Sequence, residues 1–481
     1  MRCVAIDESG RLVASASVEY PLYSPHPGWS EQLAEDWWAA TCRVTAQVAA
    51  EVGSDIRGIG LAGQMHGAVF LGDKDEVIRP AILWNDQRTA RQCDAITQKV
   101  GARRLTDITG NPALTGFQAP KILWLRDEEP HAYERVASVL LPKDYIRLKL
   151  TGARATDASD AAGTLLLDLR SRDWSAEILH ALDIPKEWLP RVHESPDKTG
   201  SVRREVAKQL GLPDALHVAA GGGDNAAAAV GIGIIRNGLA SCSIGTSGVF
   251  FAHSDALATD PSGRLHAFCH AVPGRYHLMG VTLAAGASLR WWRDLVGNRD
   301  YDDLTTLAAQ TPPGAEGLLF LPYLTGERTP HLDPLARGAF IGLTARHGVG
   351  HMTRAVMEGV GFSLRDSLEI MVGLGAAPSE IRATGGGSRS AFWRQILADV
   401  LQRPIVRTTA DEGPAYGAAM LAGVAAGVYG SVEEACAGIT LRPEVEEPDA
   451  GRARLYDEHY AMYRDAYPAT AAIMHNLGTG D

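Results

Sequence analysis

Three glycine runs mark where this chain could do chemistry, because each joins backbone freedom to a polar side chain. Gly221-Gly222-Gly223-Asp224-Asn225 precedes four alanines, residues 226–229. An Asp before such a run is ordinarily a helix cap. The same carboxylate, held after three glycines in a cleft, could instead accept a proton from a substrate hydroxyl. Gly245-Thr246-Ser247-Gly248 joins two short apolar runs. It reads as a plain hairpin turn or as a phosphate loop, where small residues let backbone N–H groups approach phosphate oxygens and the hydroxyls of Thr246 and Ser247 add donors. Gly385-Gly386-Gly387-Ser388 follows a strand-like run and is expected to open a helix, the geometry that sets an anion or nucleotide at a helix N-terminus. It lacks G-x-x-x-x-G-K-[ST], so it is not a Walker-type loop. His266-Ala-Phe-Cys269-His270 offers ligand-type residues, but strand alternation turns His266 and His270 one way and Cys269 the other. A structural role is read there, and no metal site is assigned.

The elements that must position these runs are those of a large globular chain. At 481 residues it is too long for one core, and two or three domains are expected. Its 51 glycines are about 11% of the chain, against roughly 7% in average usage, which asks for tight turns and close backbone approaches. A net charge of -11 and a pI of 5.8 argue against nucleic-acid and anionic-membrane surfaces. The longest small-apolar stretches, residues 226–235 and 415–428, fall short of the roughly 20 residues that span a bilayer, and no charged-then-apolar leader pattern is read. Six scattered cysteines without a C-x-x-C pair read as free thiols of a reducing cytoplasm.

Short apolar runs alternate with helical stretches, a mixed α/β pattern with strands feeding loops. Residues 3–6 and 12–20 read as a hairpin around Asp7-Glu8-Ser9-Gly10. Residues 56–61 lead into Gly63-Gln64-Met65-His66-Gly67, and 68–71, 136–141 and 218–220 are further strands; 31–52 and 86–100 are helical. A second half begins near Gly238, with strands at 239–244, 249–253, 317–321 and 381–384 and helices at 351–374, through Val400, and at 457–472. Residues 185–196 read as a surface connection. Trp37-Trp38 and Trp291-Trp292 are expected to pack helices, and Glu327, Arg328 and His331 fall on a polar loop with no assigned role.

Six motifs, in order over almost the whole chain, resemble the pentulose-phosphorylating branch of the FGGY carbohydrate kinase family. They are Gly63-Gln-Met-His-Gly67, Leu83-Trp-Asn-Asp86, Leu141-Pro-Lys-Asp-Tyr145, Asp157-Ala-Ser-Asp-Ala-Ala-Gly163, Gly221-Gly-Gly-Asp-Asn225 and Tyr323-Leu-Thr-Gly-Glu-Arg-Thr-Pro330. Gly338-Ala-Phe-Ile-Gly-Leu343 through Glu358 is similar to the second family signature. Residues 116–128, with Lys121 and Trp124, are similar to the first, except that Gln118 stands where a small hydroxyl or proline is usual.

The resemblance implies an α/β fold of two actin-like (ribonuclease H-like) domains with a cleft between them, residues 1–235 binding sugar and 236–481 binding ATP. It makes Asp224 the base on the sugar's terminal hydroxyl, and Gln64, Met65, His66 and Asn225 the sugar contacts. Gly245, Thr246 and Ser247 would hold the phosphates, and Gly286, Gly386 and Gly387 would border the adenosine. The implied reaction is phosphorylation of D-xylulose to D-xylulose 5-phosphate with ATP and Mg2+, by a cytoplasmic enzyme that forms a homodimer. The alternatives are a kinase for another ketopentose or a polyol, and a sugar-binding pseudokinase. The pseudokinase arises because the family's first domain opens with a strand and a G-[IL]-D-[LI]-G-T-[ST] loop, an arrangement the second half keeps in residues 242–251. Set against it, residues 1–6 correspond to the second strand. The first strand and first phosphate loop are therefore expected to be missing from these 481 residues, roughly a dozen residues at usual strand lengths, and kinase activity is expected to be low.

Overall fold

The computed structural model describes residues 1–409 and 413–478. The second half is built on one six-stranded sheet, in the order His266–Cys269, Tyr276–Thr282, Gly248–Ser254, Leu239–Ile244, Glu380–Thr384, Ile405–Val406. Leu239–Ile244 is an inner strand, antiparallel to Gly248–Ser254 and parallel to Glu380–Thr384. Its residues are nearly all buried, as expected of a strand covered on both faces. The 25-residue helix Val349–Gly373 packs on this sheet with most of its length buried, and Trp292 of the helix Gly286–Leu295 donates its indole N–H to Thr353 at 2.9 Å.

The first half has no continuous sheet. An amino-terminal hairpin pairs Arg2–Ile6 with Leu12–Ser17, while Lys198–Ser201, His217–Ala219 and Gly58–Ile59 form a separate three-stranded sheet. Between hairpin and sheet lies a cavity of about 1430 Å³, lined by Val4 and Ile6 on one side, Ile59 and Leu61 on the other, and Asp224. The helix Ala34–Val52 backs the hairpin, with Trp37 buried and bonded to Gln32 at 3.0 Å.

The helix Pro414–Ala425, late in the chain, packs on the first half through backbone. A Cβ at Gly60 would lie 1.8 Å from the Ala418 carbonyl oxygen, and one at Gly417 would lie 1.8 Å from that of Ala227. Glycine is required at both positions because main chains touch there.

Several sequence expectations change. Glu31–Gln32 is a short strand, so the helix expected from residue 31 begins at Ala34. Residues 185–196 are more than a connection, because Arg191–His193 pairs in parallel with Ala155–Asp157. The last helix runs Ala450–Gly478, with Pro468 inside it. Glu327 is buried and the His331 ring stacks on Tyr467 at 3.7 Å, so their loop is not a solvated one.

Candidate active site between the two halves

Asp224 is the first residue of the helix Asp224–Gly231; Gly223 occupies the capping position, so the cap reading of Asp224 is overturned. Its carboxylate is half-buried on the cavity wall. Oδ1 accepts from Asn225 N (2.8 Å) and Asn225 Nδ2 (3.0 Å), and no cation pairs with the group among the described residues. Burial pushes its pKa up to about 6 against the opposing pull of Asn225. Oδ2 is left to accept a hydroxyl proton.

Glycines hold Met65 and His66 beside that helix. A Cβ at Gly223 would come within 2.9 Å of the Met65 side chain, and one at Gly163 within 2.8 Å of both Met65 and His66. His66 takes the left-handed region at φ 70°, and Lys121 Nζ fixes that turn by donating to the His66 carbonyl (2.9 Å) and to Gly116 (2.6 Å). Its Nδ1 lies 2.6 Å from the Gly163 carbonyl, which can only accept. Nδ1 therefore carries the proton and Nε2 offers a lone pair. Burial, with the charges of Lys121 and Arg328 added, lowers the imidazole pKa to about 3 and keeps the ring neutral. Gln64 lines the cavity and donates to Gln32 at 2.9 Å. Gln118, the departure from the family pattern, is buried and donates to the carbonyls of Gly67 (2.9 Å) and Leu140 (3.2 Å), bracing the same loop.

Behind Asp224 lies a buried ionic cluster that sequence reading missed. Lys143 Nζ lies 2.6 Å from Asp144, 2.8 Å from Asp157 and 3.3 Å from Asp160, all four side chains being inaccessible to solvent or nearly so. Burial opposes the lysine's charge, yet the three carboxylates outweigh it and hold its pKa above the usual range. Asp157 Oδ2 accepts from Ser159 Oγ (2.5 Å), and Ser159 Oγ accepts from Gly223 N (3.1 Å). The chain Lys143, Asp157, Ser159, Gly223 thus ends one residue before Asp224. The signal was present in two motifs, as a lysine and three aspartates, but nothing in their spacing says that they converge.

The second half gathers the other glycine runs. Gly245–Ser247 is the turn between two sheet strands and is stitched to the start of the helix Gly286–Leu295: Gly286 N donates to Gly245 O (2.8 Å), and Ala285 N and Ala287 N both donate to Thr246 O (3.0 Å each). A Cβ at Gly286 would lie 2.5 Å from Gly245 O. Gly387 packs on Ile244, while Gly386 is exposed. Gly386–Arg389 is a 3-10 turn, and Ser390, not the glycines, caps the helix Ala391–Leu401 through Trp393 N. Exposed Thr246 and the Gly386 turn lie together at the end of the sheet, with Gly385 packed on Gly245, while the first N–H groups of the helix Gly286–Leu295 are taken up by the Gly245–Ser247 turn itself. Among the described residues no group of three or more His, Cys, Asp or Glu is arranged to hold a metal ion, and no helix is long and apolar enough to cross a membrane.

A half-buried carboxylate in the first half and a glycine turn at the end of the sheet in the second are the arrangement expected of a two-domain sugar kinase. Residues 1–231 match the N-terminal domain of the FGGY family of carbohydrate kinases and residues 240–426 its C-terminal domain. This chain belongs to the FGGY family of carbohydrate kinases. It is 43% identical over 476 residues to a xylulose kinase of Escherichia coli (strain K12), covering 98% of each chain. Among solved structures it superposes with TM-score 0.93 on a xyloylose kinase from Brucella ovis, at 39% identity over 98% of this chain and 97% of that one. A gluconate kinase from Lactobacillus acidophilus matches with TM-score 0.94 at 29% identity, covering 99% and 97%.

Proposed function

We propose that this chain transfers the γ-phosphoryl group of ATP to the terminal hydroxyl of D-xylulose, giving D-xylulose 5-phosphate, with Asp224 as the base. The observation that carries the reading is the Asp224 carboxylate, fixed through one oxygen, free through the other and poised at about 6. The xylulose kinases to which the chain is similar supply the substrate.

Phosphoryl transfer through a loose transition state needs alignment and charge stabilisation more than a strong base, so an aspartate of this basicity is sufficient. Asp224 orients the hydroxyl and takes its proton as the new O–P bond forms and the bond to ADP breaks. Gln64, Met65, His66 and Asn225 seat the sugar, His66 Nε2 accepting from one of its hydroxyls. Gly245, Thr246 and Ser247 hold the phosphates at the helix start next to Gly286, and Gly386 and Gly387 border the adenosine. Sugar then lies mainly against residues 1–235 and nucleotide against 236–481. Magnesium enters as the cation of the MgATP substrate; it binds to phosphates and water with one or two carboxylates and needs no all-protein cage.

The test is ADP release with ATP, magnesium and D-xylulose. Asp224→Asn should lose roughly 10²–10⁴ in kcat while D-xylulose still raises its melting temperature. In the native chain kcat/KM should fall tenfold per pH unit below about 6, where the base becomes protonated. Undiminished turnover by Asp224→Asn would remove it as the base, and preference for another ketose or glycerol would overturn the substrate.

A further inference from the structure

Among the described residues, every arginine that is buried or half-buried has a partner for its guanidinium, with one exception. Arg88 pairs with Asp86, Arg147 with Asp144, Arg172 with Glu194, Arg264 with Asp260 and Arg354 with Glu358. The guanidinium of half-buried Arg328 makes no hydrogen bond, ion pair or ring contact. Partly desolvated charges in native structures are normally paired, so an unpaired one that is held in place asks for a ligand.

The main chain at Arg328 is held in place. Glu327 Oε2 accepts from Thr282 Oγ1 (2.6 Å), and its Oε1 accepts from Leu283 N (3.0 Å) and from Arg328 N (2.7 Å). On the other side Thr329 N donates to Val281 O (3.0 Å), and Thr329 Oγ1 donates to Arg264 O (2.8 Å). The turn is therefore bonded to the strand that runs toward the Gly286 loop and to the segment that leads into His266.

The turn thereby lies beside the segment that carries His266 and Phe268, whose rings pack toward His66. The His66 ring lies 4.8 Å from Phe117 and 6.0 Å from Phe268, and His266 stacks on Phe268 at 5.5 Å. Arg328 is close enough to both imidazoles that its charge, after burial, helps keep them neutral. Asp224 instead is bonded only by Asn225, so the base and this cation are separate elements of the site.

Resting on the D-xylulose reading above, we propose that Arg328 is a sugar-binding residue, whose guanidinium reaches from the second half of the chain and donates two N–H bonds to adjacent oxygens at the carbonyl end of the ketose. A planar fork of donors matches two neighbouring acceptors, here the C1 hydroxyl oxygen and the C2 carbonyl oxygen. The set is complementary: His66 Nε2 accepts, Arg328 donates, and Asp224 takes the proton at the far end. Sugar seated on the first half thereby gains a contact from the second, which favours the closed cleft.

The test is steady-state kinetics and calorimetric binding of D-xylulose for Arg328→Met and Arg328→Lys beside Asp224→Asn. Arg328→Met should raise the KM for D-xylulose roughly 100-fold, the loss of two charge-assisted bonds, with the KM for ATP within about twofold, since nothing in the assignment touches the nucleotide. Arg328→Lys should recover part of the affinity, because it keeps charge and loses the fork; it also carries the test if the Met variant fails to fold. A substrate analogue lacking the C1 hydroxyl should suffer less from the Met change. An unchanged KM for D-xylulose would overturn the assignment. So would an equal rise in the KM for ATP, which would mark a phosphate contact, or loss of D-gluconate binding with D-xylulose binding kept, which would mark a carboxylate site. Asp224→Asn separates the two readings. If it is inactive and Arg328→Met is unaffected, only the Arg328 assignment fails; if it turns over normally, the base assignment fails while the KM comparison still judges Arg328.

Discussion

The two halves hold their functional loops by different physics. In the second half a six-stranded sheet runs unbroken through Leu239–Ile244, and the Gly245–Ser247 turn is the end of its ladder. In the first half the hairpin and the three-stranded sheet stand apart across the cavity; only a two-residue ladder, Gly222–Gly223 on Ala62–Gly63, leads into Asp224 and Gln64, and glycine contacts and the cluster around Lys143 supply the rest. A sheet fixes a loop by many repeated bonds, each of modest value. A buried ionic cluster fixes one by a few groups, each costly to disturb.

That contrast is broken most directly at Lys143. Lys143→Met leaves buried Asp157 and Asp160 without their cation, Asp144 keeping Arg147, and should destabilise the chain by about 3–5 kcal/mol, as removal of one member of a buried ion pair does. Denaturant unfolding measures it, and a loss below about 1 kcal/mol would mean that the cluster does not hold the first half. In the second half, Gly286→Ala puts a methyl 2.5 Å from Gly245 O. The Gly245–Ser247 turn must shift, and with the phosphate role proposed for it the KM for ATP should rise roughly tenfold, about 1.4 kcal/mol, with that for D-xylulose unchanged; a rise in both would show that the turn is not a separate grip. The smallest effect is at the hairpin. Tyr416 Oη donates to Gly10 O at 2.6 Å, and Tyr416→Phe should cost about 1 kcal/mol and speed amide exchange in Arg2–Ile6 while leaving Leu239–Ile244 protected. Equal acceleration of both strands would remove the distinction between the halves.

The second half was the more legible in sequence. Its strands are runs of buried small and apolar residues on either side of Gly245-Thr-Ser-Gly248, and one local pattern sufficed to mark strand, turn and strand. The glycine runs were visible in both halves, but their jobs differ: Gly223 and Gly163 make room for Met65 and His66, and the helix expected to open at Gly385–Ser388 begins after Ser390, which caps it. The Lys143 cluster and the unpaired Arg328 were not legible, because each depends on contacts between distant segments. Glu327 and Arg328 looked like an ordinary polar loop, since burial of charge has no local signature.

The contact of the helix Pro414–Ala425 with the first half has a mechanical consequence. Where side chains interdigitate, two bodies turn past one another only by repacking rotamers. At Gly60 and Ala418, and at Gly417 and Ala227, there is almost no side chain to interlock. Around those contacts Tyr416, Met420 and Leu421 pack with Ala226 and Val230, so the seam is a bare pivot with an apolar rim: a small rotation leaves the backbone contacts in place and is resisted by the rim alone.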